Sequence, residues 1–193
     1  MRITGGNLRG RRFNAPSSGV RPTQDRVRES LFNVLAEVVP GARVLDLYAG
    51  SGALGLEACS RNARDVCWVE SDRSTLRVLR DNVHLMCGDG EGVFRCVCAD
   101  ALRFIRHAQE SSFDLIFADP PYDKRKTEGC LDSLLNALND SVCLTEKGLF
   151  VYETTARECV ESHPRWECLR DRHWGRTRVI ILRQKYTGDS EFI

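Results

Sequence analysis

The tetrapeptide Asp119-Pro120-Pro121-Tyr122 carries the most specific chemistry in the chain. Two consecutive prolines fix φ and remove two backbone N–H donors, so the stretch presents carbonyl acceptors beside the Asp119 carboxylate. Tyr122 adds a flat aromatic face. A planar base with an exocyclic NH2 matches this set. The amine donates to the Asp119 carboxylate and the Pro120 carbonyl while the ring stacks on Tyr122, a contact worth roughly 1–3 kcal/mol. A proline turn that merely ends a strand is the bland alternative. The position of the tetrapeptide on a fourth strand, with a glycine turn on the first, favours the chemical role.

That turn lies in Asp46-Leu47-Tyr48-Ala49-Gly50-Ser51-Gly52-Ala53-Leu54-Gly55. Gly50 and Gly52 let the backbone bend sharply and approach a ligand, and Gly55 permits a helix to pack tightly against a sheet. The Gly-x-Gly-x-x-Gly spacing alone suggests a dinucleotide and a dehydrogenase, and it is a weak signal. Asp46 shifts the balance, because a pyrophosphate gains nothing from an extra anion before the turn. A carboxylate there suits a ligand with a cationic amino group, and S-adenosylmethionine has one and no pyrophosphate. Two further acidic residues follow strand-like segments. Glu70 can accept both hydroxyls of a ribose. Asp100 can accept the amine of adenine, a role compatible with capping the helix that starts at Ala101.

Such residues need strands to end beside one another. Apolar segments at Ala42–Leu47, Asp65–Glu70, Val93–Cys98, Phe113–Ala118 and Gly148–Glu153 read as strands. Helical spacing runs from Asp25 to Val38 before Pro40-Gly41, then through Ala53–Ser60, Ser74–Met86, Ala101–Ala108 and Leu131–Leu138. Arg165–Asp171 and Arg176–Lys185 close the chain as a hairpin. The alternation predicts an α/β fold: a Rossmann-like, doubly wound, mostly parallel seven-stranded sheet with a C-terminal antiparallel hairpin. In such sheets ligands bind beyond the carboxyl ends of the strands, near the reversal of strand order. Residues 1–193 are read as one domain, with a basic extension over 1–25 that has room for one short hairpin and a catalytic core over 26–193.

The 193 residues are 42% hydrophobic, and 28 Lys and Arg nearly balance 27 Asp and Glu, which excludes a disordered tail or a collagen-like chain. The charge is uneven. Residues 1–30 carry seven basic and two acidic side chains, and so do residues 165–185. If the fold joins these ends, they form a basic rim suited to phosphate backbones. The Lys124-Arg125-Lys126 run is either a solvated loop or a further phosphate grip. Nine cysteines without a Cys-x-x-Cys pair, and four histidines without ligand spacing, predict no metal and reduced thiols serving as small hydrophobes. No signal sequence or membrane span is expected, which points to the cytoplasm.

The ordered set from the glycine turn to the twin prolines resembles a class I S-adenosylmethionine-dependent methyltransferase acting on amines. Arg21-Pro22-Thr23-Gln24-Asp25-Arg26-Val27-Arg28-Glu29-Ser30-Leu31-Phe32-Asn33, Asp46 to Glu57 and Asp119 to Tyr122 together resemble the bacterial 16S rRNA guanine-N2 methyltransferase family. Arg2-Ile3-Thr4-Gly5-Gly6, Arg9-Gly10-Arg11-Arg12 and Gly175-Arg176-Thr177 extend the likeness to both ends. Trp174 departs from the Tyr more usual there. The resemblance implies that Asp46, Tyr48, Ala49, Gly50, Ser51, Gly52, Glu70, Ser71, Asp100 and Ala101 bind S-adenosylmethionine. It also implies that Asp119, Pro120, Pro121 and Tyr122 hold the target amine. Arg11, Arg12, Arg21, Thr23, Arg26, Arg28, Lys124, Arg125 and Arg176 are then the expected RNA contacts. The expected partner is 16S rRNA in an assembling 30S subunit with ribosomal proteins, met by a monomer. Adenine-N6 or a protein glutamine as acceptor, a nicotinamide-dependent oxidoreductase and a non-catalytic rRNA-binding assembly factor are the alternatives.

Overall fold

The computed structural model describes residues 1–15, 22–88, 92–108, 113–121, 129–156 and 162–185, with residues 22–24 as backbone only. In chain order the elements are α1 (Pro22–Val34), β1 (Arg43–Leu47), α2 (Ala53–Ser60), β2 (Asp65–Glu70), α3 (Arg73–Cys87), β3 (Val93–Cys98), α4 (Ala101–Arg106), β4 (Phe113–Ala118), α5 (Cys130–Asn139), β5 (Leu144–Thr155), β6 (Trp166–Trp174) and β7 (Thr177–Gln184). The strands form one seven-stranded sheet in the order β3-β2-β1-β4-β5-β7-β6. β1 to β5 pair in parallel, while β7 runs antiparallel to both β5 and β6. The expected doubly wound sheet with a closing hairpin is the observed one.

β1 and β4 are near-continuous apolar runs because helices cover the sheet on both faces. Residue alternation sorts their side chains. Val44, Leu115 and Phe117 join the core under α1, α2 and α3, whereas Leu45, Leu47, Ile116 and Ala118 join the core under α4 and α5. Asp46 shares the Val44 face of β1, so its carboxyl is directed toward α2.

Residues 1–15 pack against the core. Arg2 and Arg12 bridge in antiparallel fashion, Ile3 donates to the Arg11 carbonyl at 2.9 Å, and Ile3 and Phe13 are buried in the α1–α3 core. α1 begins at Pro22, three residues before Asp25, because proline at a first helical position lacks only an N–H that would be unpaired anyway. It ends at Val34, and residues 35–39 form a turn in which Val39 donates to the Leu35 carbonyl at 3.1 Å. β5 starts at Leu144, earlier than Gly148, and an irregularity lies between the Phe113 and Leu115 pairings.

β4 ends at Ala118, which pairs with Tyr152, but β5 continues to Thr155 opposite Thr177 of β7. Three extra residues carry the β5–β7–β6 ribbon about 10 Å beyond the end of β4. The Gly175-Arg176 turn therefore stands at the same end of the sheet as the residues that follow β1 and β4.

Candidate ligand crevice at the ends of β1 and β4

The chain leaves β1 for β2 and β3 on one side and returns to β4 on the other, so strand order reverses between β1 and β4. The glycine turn and Asp119-Pro120 are the continuations of these two neighbouring strands. This is the place where an open α/β sheet leaves a crevice.

The turn is built from backbone that few side chains tolerate. Tyr48, Gly50 and Gly52 have φ of 56°, 55° and 86°. Ala49 donates to the Val69 carbonyl at 3.0 Å, and Gly52 donates to the Ala49 carbonyl at 2.7 Å. A Cβ on Gly52 would meet Leu79 and Trp68, and one on Gly55 would collide with the Trp68 indole and Val66. Trp68 Nε1 in turn donates to the Gly52 carbonyl at 3.3 Å. The tight helix-to-sheet packing expected of Gly55 is thus met by an indole. A Cβ on Gly50 would face open space, the nearest atom being the Tyr48 carbonyl oxygen at 3.9 Å.

Asp46 is 1% exposed. Its Oδ2 accepts the Gly55 N–H at 2.8 Å, so the carboxyl tethers the first turn of α2. Burial, offset in part by that bond and reinforced by Glu70, pushes its pKa up to about 7. Glu70 closes the next strand. Its Oε2 accepts the Gly50 N–H at 3.0 Å, and its Oε1 accepts the Asp72 N–H at 2.7 Å. Exposed Ser71 donates to the same carboxylate at 3.5 Å. Exposed Asp100 caps α4 by accepting the Arg103 N–H at 2.9 Å, and Ala101 behind it is buried. Among the described residues, no Lys, Arg or His forms an ion pair with Asp46, Glu70 or Asp100. The ends of β1, β2 and β3 thus bring together three carboxyl groups, of which Glu70 and Asp100 lie toward the surface and Asp46 is buried.

Across the crevice Asp119 is half-buried, Pro120 buried and Pro121 exposed. Tyr122, Lys124 and Arg125 lie outside the described residues, as does Arg21; Thr23 belongs to α1, and its side chain is likewise outside them. Tyr48 is partly buried, with its hydroxyl 3.8 Å from Cys130 Sγ, and burial raises its phenol pKa above the ordinary value. Ser51 is buried, with its hydroxyl on Met1 Sδ at 3.3 Å.

Arg11, Arg12, Arg26 and Arg176 are exposed, and Arg11 donates to the Leu85 carbonyl at 3.1 Å. Arg28 departs from the surface role expected of it. It is 4% exposed and donates to Glu57 at 3.3 Å, to Asp25 at 2.9 Å and to the Arg2 carbonyl at 2.7 Å. Its charge is neutralised inside the protein, where it fastens α1 and the amino-terminal hairpin to α2.

Two buried polar residues support the turn without having been singled out by the sequence. Glu57 accepts the Thr4 N–H at 2.6 Å as well as the Arg28 and Arg61 guanidinium groups. Its one signal is a carboxylate amid the apolar positions of α2. Asn82 donates to the Ser51 carbonyl at 3.0 Å and to the Asn14 carbonyl at 2.9 Å, while accepting the Asn14 N–H at 2.9 Å. This buried amide joins the glycine turn to the amino-terminal segment.

A family model described as "Conserved hypothetical protein 95" matches residues 1–183. Ribosomal RNA small subunit methyltransferase D of Escherichia coli strain K12 is 36% identical over 194 residues, covering 99% of this chain and 93% of that protein. The Haemophilus influenzae protein of the same name is 32% identical over 178 residues, covering 91% and 89% respectively. The solved structure of Escherichia coli yhhF superposes with a TM-score of 0.82 at 34% identity, covering 96% of this chain and 98% of that one.

Proposed function

This chain belongs to the family described as conserved hypothetical protein 95, and on that footing we propose that it transfers a methyl group from S-adenosylmethionine to the exocyclic N2 of a guanine in 16S rRNA. The adjacency of the glycine turn after β1 and Asp119-Pro120 after β4 carries this reading. The cofactor fits the residues present. The open space over Gly50 admits a ligand against the backbone. The three carboxylates suit a sulfonium and an ammonium far better than they suit a pyrophosphate.

When bound, S-adenosylmethionine supplies an already activated methyl. The protein's share is chiefly alignment of acceptor and donor. Glu70 would hold the ribose hydroxyls and Asp100 the adenine amine. Asp46 keeps α2 and the turn in place through Gly55 and lends negative charge to the site. Asp119 and the Pro120 carbonyl accept the N–H groups of the target amine. They orient its lone pair and raise its nucleophilicity as the new bond forms, and the surplus proton leaves the nitrogen for Asp119 or water. Tyr122 stacks on the base. A guanine amine is hidden in a stacked helix, so the base must rotate out at a cost of a few kcal/mol, least in a loop. Arg11, Arg12, Arg26 and Arg176 supply binding energy for that step, joined by Arg21, Thr23, Lys124 and Arg125.

The chain acts as one domain, a monomer in the cytoplasm that needs no metal. A near-neutral net charge favours rRNA already dressed with ribosomal proteins in an assembling 30S subunit. The test is transfer of labelled methyl from S-adenosylmethionine to small-subunit rRNA, presented naked and as particles from cells lacking the gene. One labelled N2-methylguanine is expected, lost by at least about 100-fold in Asp119→Ala because the amine loses its positioning acceptor. Label on adenine, or undiminished transfer by the variant, contradicts the reading.

A further inference from the structure

Cys59 is the seventh residue of α2 and Cys87 the last of α3, two helices that pack side by side on the same face of the sheet. Their sulfur atoms stand 2.7 Å apart, so a sub-ångström shift brings them to the covalent separation of about 2.05 Å. Neither side chain is sealed in the core. Cys67, Cys130 and Cys143, by contrast, are buried thiols, and Cys98 and Cys168 sit exposed on the two edge strands.

We infer that Cys59 and Cys87 form a reversible disulfide when the protein meets a small-molecule disulfide such as oxidised glutathione, clipping α2 to α3 behind the ligand crevice. The exchange balances without any other reactant. The Cys59 thiolate attacks one sulfur of the small disulfide, forming a mixed disulfide and expelling one thiolate. Cys87 then attacks the Cys59 sulfur and expels the second. Two protein thiols are oxidised and one disulfide is reduced to two thiols, which take up the protons released. The Cys87 thiol donates to the Cys59 sulfur, which holds the Cys59 pKa below the ordinary thiol value, and the same bond together with burial pushes Cys87 up. Cys59 is accordingly the attacking group.

The bond lies at the carboxyl-terminal ends of the two helices, whereas Gly52 and Asp72 cap the ends that face the crevice. It therefore ties the scaffold without obstructing the ligand. Bridging residues 28 apart in sequence restricts the unfolded chain and raises the melting temperature by several degrees.

The experiment treats the full chain with oxidised glutathione in mildly alkaline buffer, blocks remaining thiols, digests and maps the peptides by mass spectrometry. The expected result is a Cys59–Cys87 cross-linked peptide that dithiothreitol removes. The melting temperature rises in the unaltered protein but not in Cys59→Ser or Cys87→Ser, and affinity for S-adenosylhomocysteine is unchanged. Glutathione adducts with no crosslink, a link from Cys87 to its other thiol neighbour Cys96, or the same stabilisation in Cys59→Ser each overturn the inference. Should the serine variants fail to fold, the peptide map of the unaltered protein decides alone, and none of these readouts depends on methyl transfer.

Discussion

At the scale of single residues, Asp46 joins two tasks that a substitution can separate. Its carboxyl accepts the Gly55 N–H at 2.8 Å, and its burial raises the pKa from 3.8 to about 7. A raised folded-state pKa means that the native protein holds a proton which the unfolded chain releases. The associated stability is full below pH about 4 and lost as pH rises to about 7. Asp46→Asn keeps an acceptor for Gly55 and removes the buried charge. Thermal melts from pH 4 to pH 8 are expected to show the asparagine variant gaining on the unaltered protein through this window. Affinity for S-adenosylmethionine, measured by calorimetry near pH 8, is expected to fall about tenfold, the equivalent of some 1.4 kcal/mol of lost charge attraction. Equal affinity would reduce Asp46 to a tether. The sequence made the type and place of Asp46 legible because strand and turn are local. The same reading missed Arg28 as a buried residue, since an arginine in a basic segment looks solvated until Glu57, 29 positions away, is brought to it.

At the scale of elements, the glycine turn is held from outside as much as by its own conformation. α2 carries Glu57, which fastens the amino-terminal hairpin through Thr4 and α1 through Arg28; α3 carries Asn82, which grips the Ser51 carbonyl. Removing one partner of a buried ion pair leaves the other charge poorly compensated, at a cost of about 3–5 kcal/mol. Glu57→Gln is expected to lower unfolding free energy by about 3 kcal/mol, the low end because Asp25 still faces Arg28. Urea titration reads this as an earlier midpoint with an unchanged slope. A loss below about 0.5 kcal/mol, the level of an ordinary surface change, would show that the network adds nothing. Strand and helix alternation was legible from period and turn residues, and the strands expected at 65–70, 93–98 and 113–118 are those observed. The limits of α1 and β5 were not. Pro22 starts a helix that apolar spacing alone places at Asp25, and β5 gains its first residues by pairing Leu144 with Phe113. Long-range pairing leaves no local pattern.

At the scale of the whole molecule, the mouth proposed for the cofactor at β1, β2 and β3 carries carboxylates, while exposed arginines of the amino-terminal hairpin, α1 and the β6–β7 turn stand outside it. Under the proposed function, RNA affinity falls to residues that do not hold the small ligand. Arg12→Ala and Arg176→Ala are each expected to weaken rRNA binding and to reduce the slope of log affinity against log salt by about one, with S-adenosylhomocysteine affinity unaltered. Fluorescence anisotropy over a salt series measures both effects. An unchanged slope would remove these arginines from the phosphate contacts. The proposed reaction requires that methyl donor and target amine meet where β1 and β4 end together. A crystal structure of the chain with S-adenosylhomocysteine tests that most directly. The ribose is expected on Glu70, the backbone of Gly50–Gly52 beneath the ligand, and the sulfur turned toward Asp119 and an outward-facing Pro120 carbonyl. A ligand lodged elsewhere, or a Pro120 carbonyl buried in the protein interior, would contradict it.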